Sequence, residues 1–111
     1  MSSLYAQYLA ERTNDEILET PDGFVSYRYL NDGNTVYIVD IYVVPDKRTE
    51  GRASHLADIV VFKAKEKGCK KLIGSVVPSM KNSTISLKVL LGYGMQLESS
   101  GHDYIFFKKD I

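Results

Sequence analysis

Residues 43–53 read VVPDKRTEGRA and separate two segments of different character. Residues 35–44 are rich in β-branched and aromatic side chains, which predicts a strand, whereas residues 53–67 carry apolar residues at helical spacing. The pattern therefore predicts a strand that enters a tight loop, with Gly51 opening a helix. Such a loop turns several backbone N–H groups toward one point at the positive end of a helix dipole, and anions bind there. The ligand class indicated is a phosphate-bearing cofactor.

Length and composition set the broad class of the protein. The 111 residues predict a single domain spanning residues 1–111 with one core. The chain has 14 basic residues (Lys and Arg) and 14 acidic ones (Asp and Glu), so its net charge creates no electrostatic field that favours nucleic acid or an anionic membrane surface. The apolar runs are too short to cross a bilayer, and no signal-peptide pattern is visible. A lone Cys69 fits a reducing compartment, so we expect a cytoplasmic protein that binds neither nucleic acid nor membrane.

The N-terminal quarter is predicted to be helical. Ser2 or Ser3 can cap a first helix, and residues 13–16 (TNDE) match a capping box that would begin a short second helix through Leu18. Pro21 and the Asp-Gly pair at residues 22–23 end that helix in a turn.

The rest of the chain alternates between strands and helices. In chain order we predict strands at 24–30 and 35–44, a helix at 53–67, a strand at 70–77, a helix from Asn82 or Ser83 to Leu91, and a hairpin of 95–99 with 102–108. The strand-helix-strand unit in the middle implies a right-handed parallel crossover within a mixed sheet.

With this order in view, Arg48, Gly51 and Ala53 resemble the Arg/Gln-x-x-Gly-x-Gly/Ala signature of the GNAT (Gcn5-related) acyl-CoA N-acyltransferases. Residues 41–45 (IYVVP) resemble the strand end that precedes this signature, and Gly94-Met95 stands where the family usually has Gly-Phe. The resemblance covers residues 24–109. It implies a GNAT α/β fold with a mixed central sheet flanked by helices, abbreviated at the N-terminus because further strands usually come first.

The resemblance also implies a cofactor site for acetyl-CoA. The strand ending at Val43 and Val44 would splay from residues 72–77, and its free backbone groups would hold the pantetheine arm and polarise the thioester carbonyl. The implied pyrophosphate cradle consists of Arg48, Thr49, Glu50, Gly51, Arg52, Ala53 and Ser54, and Ser83 completes the predicted cofactor-binding set. Glu50 has two interpretations, a carboxylate that opposes the pyrophosphate or a solvated residue of the first helical turn.

The catalytic candidates are Tyr37 and Tyr93. Counted from Gly94, the family's general-acid tyrosine falls on Leu90, while Tyr93 lies just beyond the helix end and is more simply a packed turn residue. The family's base position falls on Tyr37 or Val39. Strand alternation predicts that Asp40 points to the other face, paired with a basic side chain or with backbone N–H groups.

The predicted function is transfer of an acetyl group from acetyl-CoA to a primary amine of a small molecule or protein. The alternative is a catalytically inactive GNAT-fold protein with a binding, regulatory or assembly role, which the leucine at position 90 favours. Two distant histidines and one cysteine predict no metal site. An uncovered sheet edge would suit a homodimer, and the acceptor is not named by the sequence.

Overall fold

The computed structural model describes residues 3–81 and 83–111, and for residues 83–86 it describes the backbone alone. The elements in chain order are α1 (Leu4–Thr13), β1 (Glu16–Thr20), β2 (Gly23–Leu30), β3 (Thr35–Val43), a 3₁₀ turn (Pro45–Lys47), α2 (Arg52–Glu66), β4 (Lys71–Val76), α3 (Ser83–Gly92), β5 (Gln96–Gly101) and β6 (Tyr104–Asp110). The strands form one sheet in the order β1-β2-β3-β4-β6-β5. Only the β3–β4 pair within it is parallel.

The β3-α2-β4 unit is the predicted parallel crossover. Its helix buries one apolar stripe against the sheet, formed by Leu56, Ala57, Val60 and Ala64. We call the face of the sheet that packs against α2 the helix face. It contributes to the same core the residues Val25, Tyr27, Val36, Ile38, Val43, Leu72, Val76 and Phe107. Burial of this apolar surface is the main favourable term in folding, so the predicted helix and strands hold their positions through one shared core.

The second helix predicted at residues 13–18 is wrong, because those residues end α1 and begin β1. Thr13 Oγ1 donates to Leu9 O at 2.8 Å and accepts from Asp15 N at 3.2 Å, while Asn14 takes a left-handed φ of 61° as the C-cap. The chain then pairs as β1 with β2 in antiparallel register. A strand therefore does precede the pair of strands predicted to come first, and β1 rather than β2 forms that edge of the sheet.

A long-range ion pair holds β1 against β2. The Asp15 carboxylate accepts from Arg28 Nε at 2.5 Å and from Nη2 at 3.0 Å, with 6% of the Asp15 side chain exposed. Because Arg28 donates these hydrogen bonds to Asp15, its pKa is raised above its ordinary value. Residue 15 is thus an ion-pair partner for a neighbouring strand instead of part of a helix cap.

Smaller boundary changes occur at the C-terminal side of the chain. The closing hairpin turns at residues 102–103, with Asp103 at φ 57°, rather than at the predicted Ser100-Gly101. The backbone of α3 begins at Ser83, and Asn82, the other predicted cap, lies outside the described residues. Among the described residues, no helix combines the length and the hydropathy needed to cross a bilayer.

A β-bulge interrupts the pairing of β2 with β3. Tyr27 lies opposite Ile38, whereas Ser26, the preceding residue, lies opposite Asp40, so Val39 is an extra residue on β3. A bulge bends its strand and reverses the alternation of the residues beyond it. The second half of β3 therefore presents its side chains in a phase that a regular strand would not have.

The turn before β2 requires a glycine for reasons of space. A Cβ on Gly23 would lie 2.1 Å from Tyr42 O and 3.0 Å from the Cα of Val43. We expect Gly23→Ala to force β2 and β3 apart and to lower the free energy of unfolding by about 1–3 kcal/mol. Urea unfolding followed by circular dichroism measures the change.

The matched control is Gly92→Ala at the end of α3, where a Cβ meets no atom within 4 Å outside its own helix. Here we expect a gain of at most about 1 kcal/mol, because glycine is a poor helix residue. Equal effects of the two substitutions would contradict the close approach at Gly23.

Candidate functional site

The parallel strands β3 and β4 separate partway along their length. Thr35 to Ile38 pair with Lys71 to Gly74, but β3 then continues to Val43 and β4 to Val76 without further pairing between them. The facing edges of the two strands therefore have no ladder partner at their carboxyl ends. We call this opening the strand gap.

On the helix face, the strand gap opens into a narrow apolar cleft between α2 and α3. The cleft is lined by Ile38, Ile41, Ala57, Leu72, Ile73, Gly74, Val89, Leu90, Tyr93 and Met95. Because these lining residues are almost all apolar, the cleft suits an uncharged, slender chain better than a charged group. Leu90, at the position of the family's general acid, is one of its walls.

The end of β3 exposes backbone groups to the strand gap. Val44 N donates to Asp22 O at 2.8 Å and Val44 O accepts from Lys47 N at 2.9 Å, so the predicted Val44 groups are already engaged. Successive N–H groups of a strand point to opposite edges, and the N–H and C=O of Val43 consequently face the gap. Val43 O accepts from Arg48 Nε at 2.8 Å, and the Val43 N–H has no strand partner on that edge.

The loop before α2 leaves several backbone N–H groups free of partners. Thr49 and Gly51 both have left-handed conformations, with φ of 69° and 76°. In the described part of the chain no backbone carbonyl accepts from the N–H groups of residues 49–54, and the first turn of α2 bonds through His55 N to Gly51 O at 3.0 Å. Free donors at a helix N-terminus are groups that can bind an anion, and they lie in the loop where the sequence predicts such a site.

Gly51 gives this loop both a left-handed turn and an open backbone. Its φ of 76° is the left-handed region that residues with a Cβ rarely adopt, and a Cβ there would meet no atom within 4 Å. The open space lies beside the free N–H groups, so it is available to a ligand that approaches the backbone.

The charged side chains of the loop are held by partners. Arg48 Cζ lies 5.4 Å from the ring centroid of Tyr42, in addition to its bond to Val43 O. Arg52 Nη1 donates to Asp22 Oδ2 at 2.6 Å and its Nη2 to Glu50 Oε1 at 3.4 Å. Arg52 thereby offsets the Glu50 carboxylate that would oppose a pyrophosphate.

Two other predicted cradle residues belong to the helix itself. Ala53 and Ser54 lie half-buried in the first turn of α2. The side chain of Ser83 lies outside the described residues.

The Nε of Arg52 is buried without a hydrogen-bond partner among the described atoms. It lies beside a cavity of about 260 Å³ that Asp22, Arg52 and His55 help to line.

Tyr93 stands at the mouth of the apolar cleft and is held on two sides. Its hydroxyl donates to Asp58 Oδ1 at 2.6 Å, and Lys109 Nζ donates to Tyr93 O at 2.9 Å while lying 4.6 Å from the ring centroid. Burial, followed by the hydrogen bond to Asp58, raises the pKa of Tyr93 well above its ordinary value. The phenol is therefore neutral at pH 7, with its proton directed at Asp58 on α2.

Tyr37 lies on the opposite face of the sheet from Tyr93. Its hydroxyl oxygen lies 2.7 Å from Ser75 Oγ on β4, which joins the two strands close to the point where they separate. Arg28 Cζ is 6.0 Å from the Tyr37 ring centroid. The two catalytic candidates from the sequence thus approach the strand gap from different sides and do not form a pair.

The bulge brings Asp40 to the same face as Tyr37. Asp40 lies opposite Ser26 and Tyr37 lies opposite Arg28, and Ser26 and Arg28 are two residues apart on the unbroken β2. Residues in direct cross-strand register share a face, so all four belong to what we call the Tyr37 face. The prediction from alternation that Asp40 points away from Tyr37 is therefore wrong.

The prediction that Asp40 pairs with a basic side chain or with backbone N–H groups is also wrong. Asp40 makes no ion pair or side-chain hydrogen bond within residues 3–81 and 83–111. Although the residue as a whole is exposed, burial of its carboxyl group and then the charge of Asp15 raise its pKa above the ordinary value. Perturbed carboxyl groups beside an opening are candidates for proton transfer, and sequence reasoning missed this one because no residue type marks the bulge.

Comparison with known proteins places these features in a family. A family model described as Acetyltransferase (GNAT) family matches residues 5–88. Among solved structures, a protein of the GNAT family from Desulfovibrio desulfuricans superposes with a TM-score of 0.76 at 16% identity, covering 94% of this chain and 75% of that one. No curated protein matches the sequence significantly.

Two further solved structures contain ligands. PaiA N-acetyltransferase from Thermoplasma acidophilum, in complex with coenzyme A, matches with a TM-score of 0.76 and 15% identity over 97% of this chain and 69% of that one. A GNAT family acetyltransferase from Elizabethkingia anophelis with acetyl-CoA bound matches with a TM-score of 0.73 and 20% identity over 100% and 84%. At these identities the likeness is one of fold, and it confirms the predicted mixed sheet flanked by helices.

The unpaired Asp40 carboxylate should lower stability at neutral pH. A carboxyl pKa that is higher in the folded state than in the unfolded state favours folding below its ordinary value, and this contribution is lost as pH rises through the raised pKa. We therefore expect Asp40→Asn to raise the melting temperature at pH 7, with a difference that shrinks toward zero as the pH falls below the ordinary range for aspartate.

The control is Glu19→Gln, which neutralises an exposed carboxylate on β1 and should change stability by no more than about 0.5 kcal/mol. Thermal unfolding across a pH series measures both variants. A lower melting temperature for Asp40→Asn at pH 7 would mean that the Asp40 carboxylate is stabilised by a partner.

Proposed function

The chain belongs to the Acetyltransferase (GNAT) family, and from this premise we propose that it transfers the acetyl group of acetyl-CoA to a primary amine. One observation carries the proposal: the strand gap, the apolar cleft and the free N–H groups of residues 49–54 all lie at the carboxyl end of β3. A ligand with an anionic end and a slender, uncharged arm fits that combination. The relatives with coenzyme A or acetyl-CoA bound support the choice of ligand.

The parts of this ligand have separate binding groups. The N–H groups of residues 49–54 would hold the pyrophosphate, with the open space beside Gly51 admitting it close to the backbone. Arg52 keeps Glu50 from repelling the phosphates. The unpaired edge of β3 would bond the amides of the pantetheine arm as an additional strand does, and the apolar cleft would take its aliphatic part.

Acetyl-CoA supplies a thioester carbonyl carbon, to which the amine nitrogen bonds while the C–S bond breaks and coenzyme A leaves as a thiol. The free N–H of Val43 faces the strand gap and would donate to the carbonyl oxygen as negative charge develops on it. Holding the amine and the thioester on the two sides of one opening would contribute to the rate through orientation.

Asp40 is the residue we assign to remove a proton from the attacking ammonium. It lies on β3 beyond Ile38, the last residue that pairs with β4, and its carboxyl group has no partner in the described chain. The raised pKa of Asp40 is closer to neutral pH than the ordinary pKa of aspartate, which suits a general base. Tyr37 and Ser75, joined through their hydroxyl groups, would position the acceptor beside it.

Protonation of the leaving thiolate is assigned to Tyr93 or to water. Tyr93 lines the apolar cleft, but its proton is directed at Asp58 and its raised pKa makes it a weak acid. A thiolate is a good leaving group that water can protonate, so loss of the tyrosine would be tolerated.

A second candidate function is a GNAT-fold protein that binds acyl-CoA without transferring its acyl group. The observation in favour is Leu90, which occupies the wall of the cleft where the family's acid would stand, together with the engagement of Tyr93 by Asp58. Ligand binding alone does not separate the two functions, whereas release of thiol in the presence of amines does.

Binding of acetyl-CoA should depend on Gly51. A ligand at 100 times its dissociation constant stabilises a protein by about 2.7 kcal/mol, so saturating acetyl-CoA should raise the melting temperature clearly. We expect Gly51→Asp to abolish the shift, because the new carboxylate occupies the open space beside the anion site and repels the pyrophosphate. Differential scanning fluorimetry measures this.

Gly33→Asp is the matched control. Gly33 has a φ of 84° with no atom within 4 Å of a Cβ, compared with 76° and equally open space for Gly51, but it lies in the turn between β2 and β3. The two variants should lose similar stability, and only Gly33→Asp should keep the acetyl-CoA shift. A shift retained in Gly51→Asp would locate the ligand elsewhere.

Catalysis should depend on Asp40. With acetyl-CoA and a reactive amine, we expect Asp40→Asn to lower kcat/KM at pH 7 by roughly 10²–10⁴-fold, the usual contribution of a general base. The wild-type rate should rise with pH through the raised Asp40 pKa, and this limb should be missing in the variant. Thiol release with a chromogenic reagent provides the assay, and Glu19→Gln is again the control. Absence of thiol release with every amine, despite a normal acetyl-CoA shift, would favour the non-catalytic function.

A further inference from the structure

The Tyr37 face carries two groups of aromatic rings on either side of Asp40. Toward the end of β3, Tyr42 stacks on Phe24 with ring centroids 5.8 Å apart. On the other side, Tyr37 lies 6.2 Å from Phe106. Phe106 in turn lies 5.0 Å from Tyr104, which extends the aromatic surface onto β6.

Asp40 is the free negative charge between these rings. It projects from β3 on the face that holds Tyr37, opposite Ser26 on β2. The neighbouring Asp15 carboxylate is committed to Arg28, while Glu19 lies two strands away on β1, beyond Phe24. An ammonium group beside Asp40 would therefore meet one uncompensated carboxylate flanked by aromatic rings. The lysines on this face lie farther along, where Lys71 pairs with Glu98 and Lys108 follows Phe106 on β6.

Two guanidinium groups border the same surface. Arg28 lies over the Tyr37 ring and Arg48 over the Tyr42 ring, at 6.0 and 5.4 Å from the centroids. Arg28 is neutralised by Asp15, whereas Arg48 bonds a carbonyl and has no carboxylate partner in the described chain. A second positive charge on an acceptor that reaches the Tyr42 ring would approach Arg48, whose charge no carboxylate of the described residues pairs with.

We infer that the acceptor is a primary amine with a single positive charge on an apolar body, and that this face selects against a second positive charge. The inference deepens the proposed acetyl transfer and rests on it. The shared chemistry is an ammonium group on an aliphatic or aromatic stem, which either a free alkylamine or a lysine side chain among apolar neighbours provides. Polyamines and other polycations are the acceptors it disfavours.

The test compares amines matched in size. Hexylamine and 1,6-diaminohexane have the same chain and differ by one ammonium, and 2-(2-aminoethoxy)ethanol matches hexylamine in non-hydrogen atoms but has a polar body. We expect kcat/KM for hexylamine to exceed that for the diamine by roughly fivefold to tenfold, the order of effect that a nearby, partly screened guanidinium charge has on a second ammonium. The ether amine should be poorer than hexylamine by roughly tenfold, through lost apolar burial.

Arg48→Gln isolates the charge effect. Glutamine keeps a donor for Val43 O and removes the positive charge, so the preference for hexylamine over the diamine should fall toward unity. The ratio of the two rates is the readout, because any effect of the variant on acetyl-CoA cancels in it. Retention of the full preference in Arg48→Gln would overturn the assignment of selectivity to this arginine.

Two lysine peptides of equal length, one with apolar and one with basic neighbours, extend the test to polypeptide acceptors. The apolar peptide should be the better substrate. Equal or faster reaction of the diamine or of the basic peptide overturns the inference while leaving acetyl transfer intact. If no amine is acetylated, the proposed acetyl transfer is wrong. Calorimetric titration of the same amines into the CoA-saturated protein then tests the inference about the acceptor. Tighter binding of the diamine than of hexylamine would overturn it.

Discussion

The end of the β3–β4 ladder at Ile38 and Gly74 is the constraint on which the site depends. Beyond that pair, β3 is drawn toward β2 by the close approach at Gly23 and by the bond from Val44 N to Asp22 O, and the bulge at Val39 bends it. β4 does not follow β3 toward β2, since it remains paired with β6 up to Val76. The strand gap thus lies between two parallel strands that each stay paired on the outer side, and it leaves backbone donors free where a ligand can use them.

The sequence predicted the parts of the molecule whose signals are local. The loop at residues 43–53 combines a strand end, a proline, a glycine and an apolar helix, and each of these is decided within a few residues. The N-terminal strand was missed because residues 13–16 satisfy a helix-capping pattern locally, while the pairing of Asp15 with Arg28 acts across thirteen residues. Long-range pairing overrode a weak local preference, which is the usual way in which such predictions fail.

The candidate site was predictable in part for the same reason. Backbone donors follow from the loop, so the free N–H groups of residues 49–54 could be predicted from the sequence. The position of Asp40 could not, because it depends on a bulge that no residue type announces, and one inserted residue moved a carboxylate from one face to the other. The partners of Tyr93 and Tyr37, namely Asp58 and Ser75, come from distant segments and were equally invisible.

The sheet order has a consequence for the motions of the protein. β1, β2 and β3 form one antiparallel meander, and β4, β6 and β5 form a second three-stranded unit. The two halves are joined mainly by the short parallel ladder from Thr35 to Ile38, with the contact between Tyr37 and Ser75 and the helix-face core beside it. Hydrogen exchange should be faster along this seam than within either half, because fewer backbone bonds must open there. A ligand lying in the strand gap would bond to both halves. Ligand binding would therefore stabilise the association of the two halves, and their separation would weaken ligand binding.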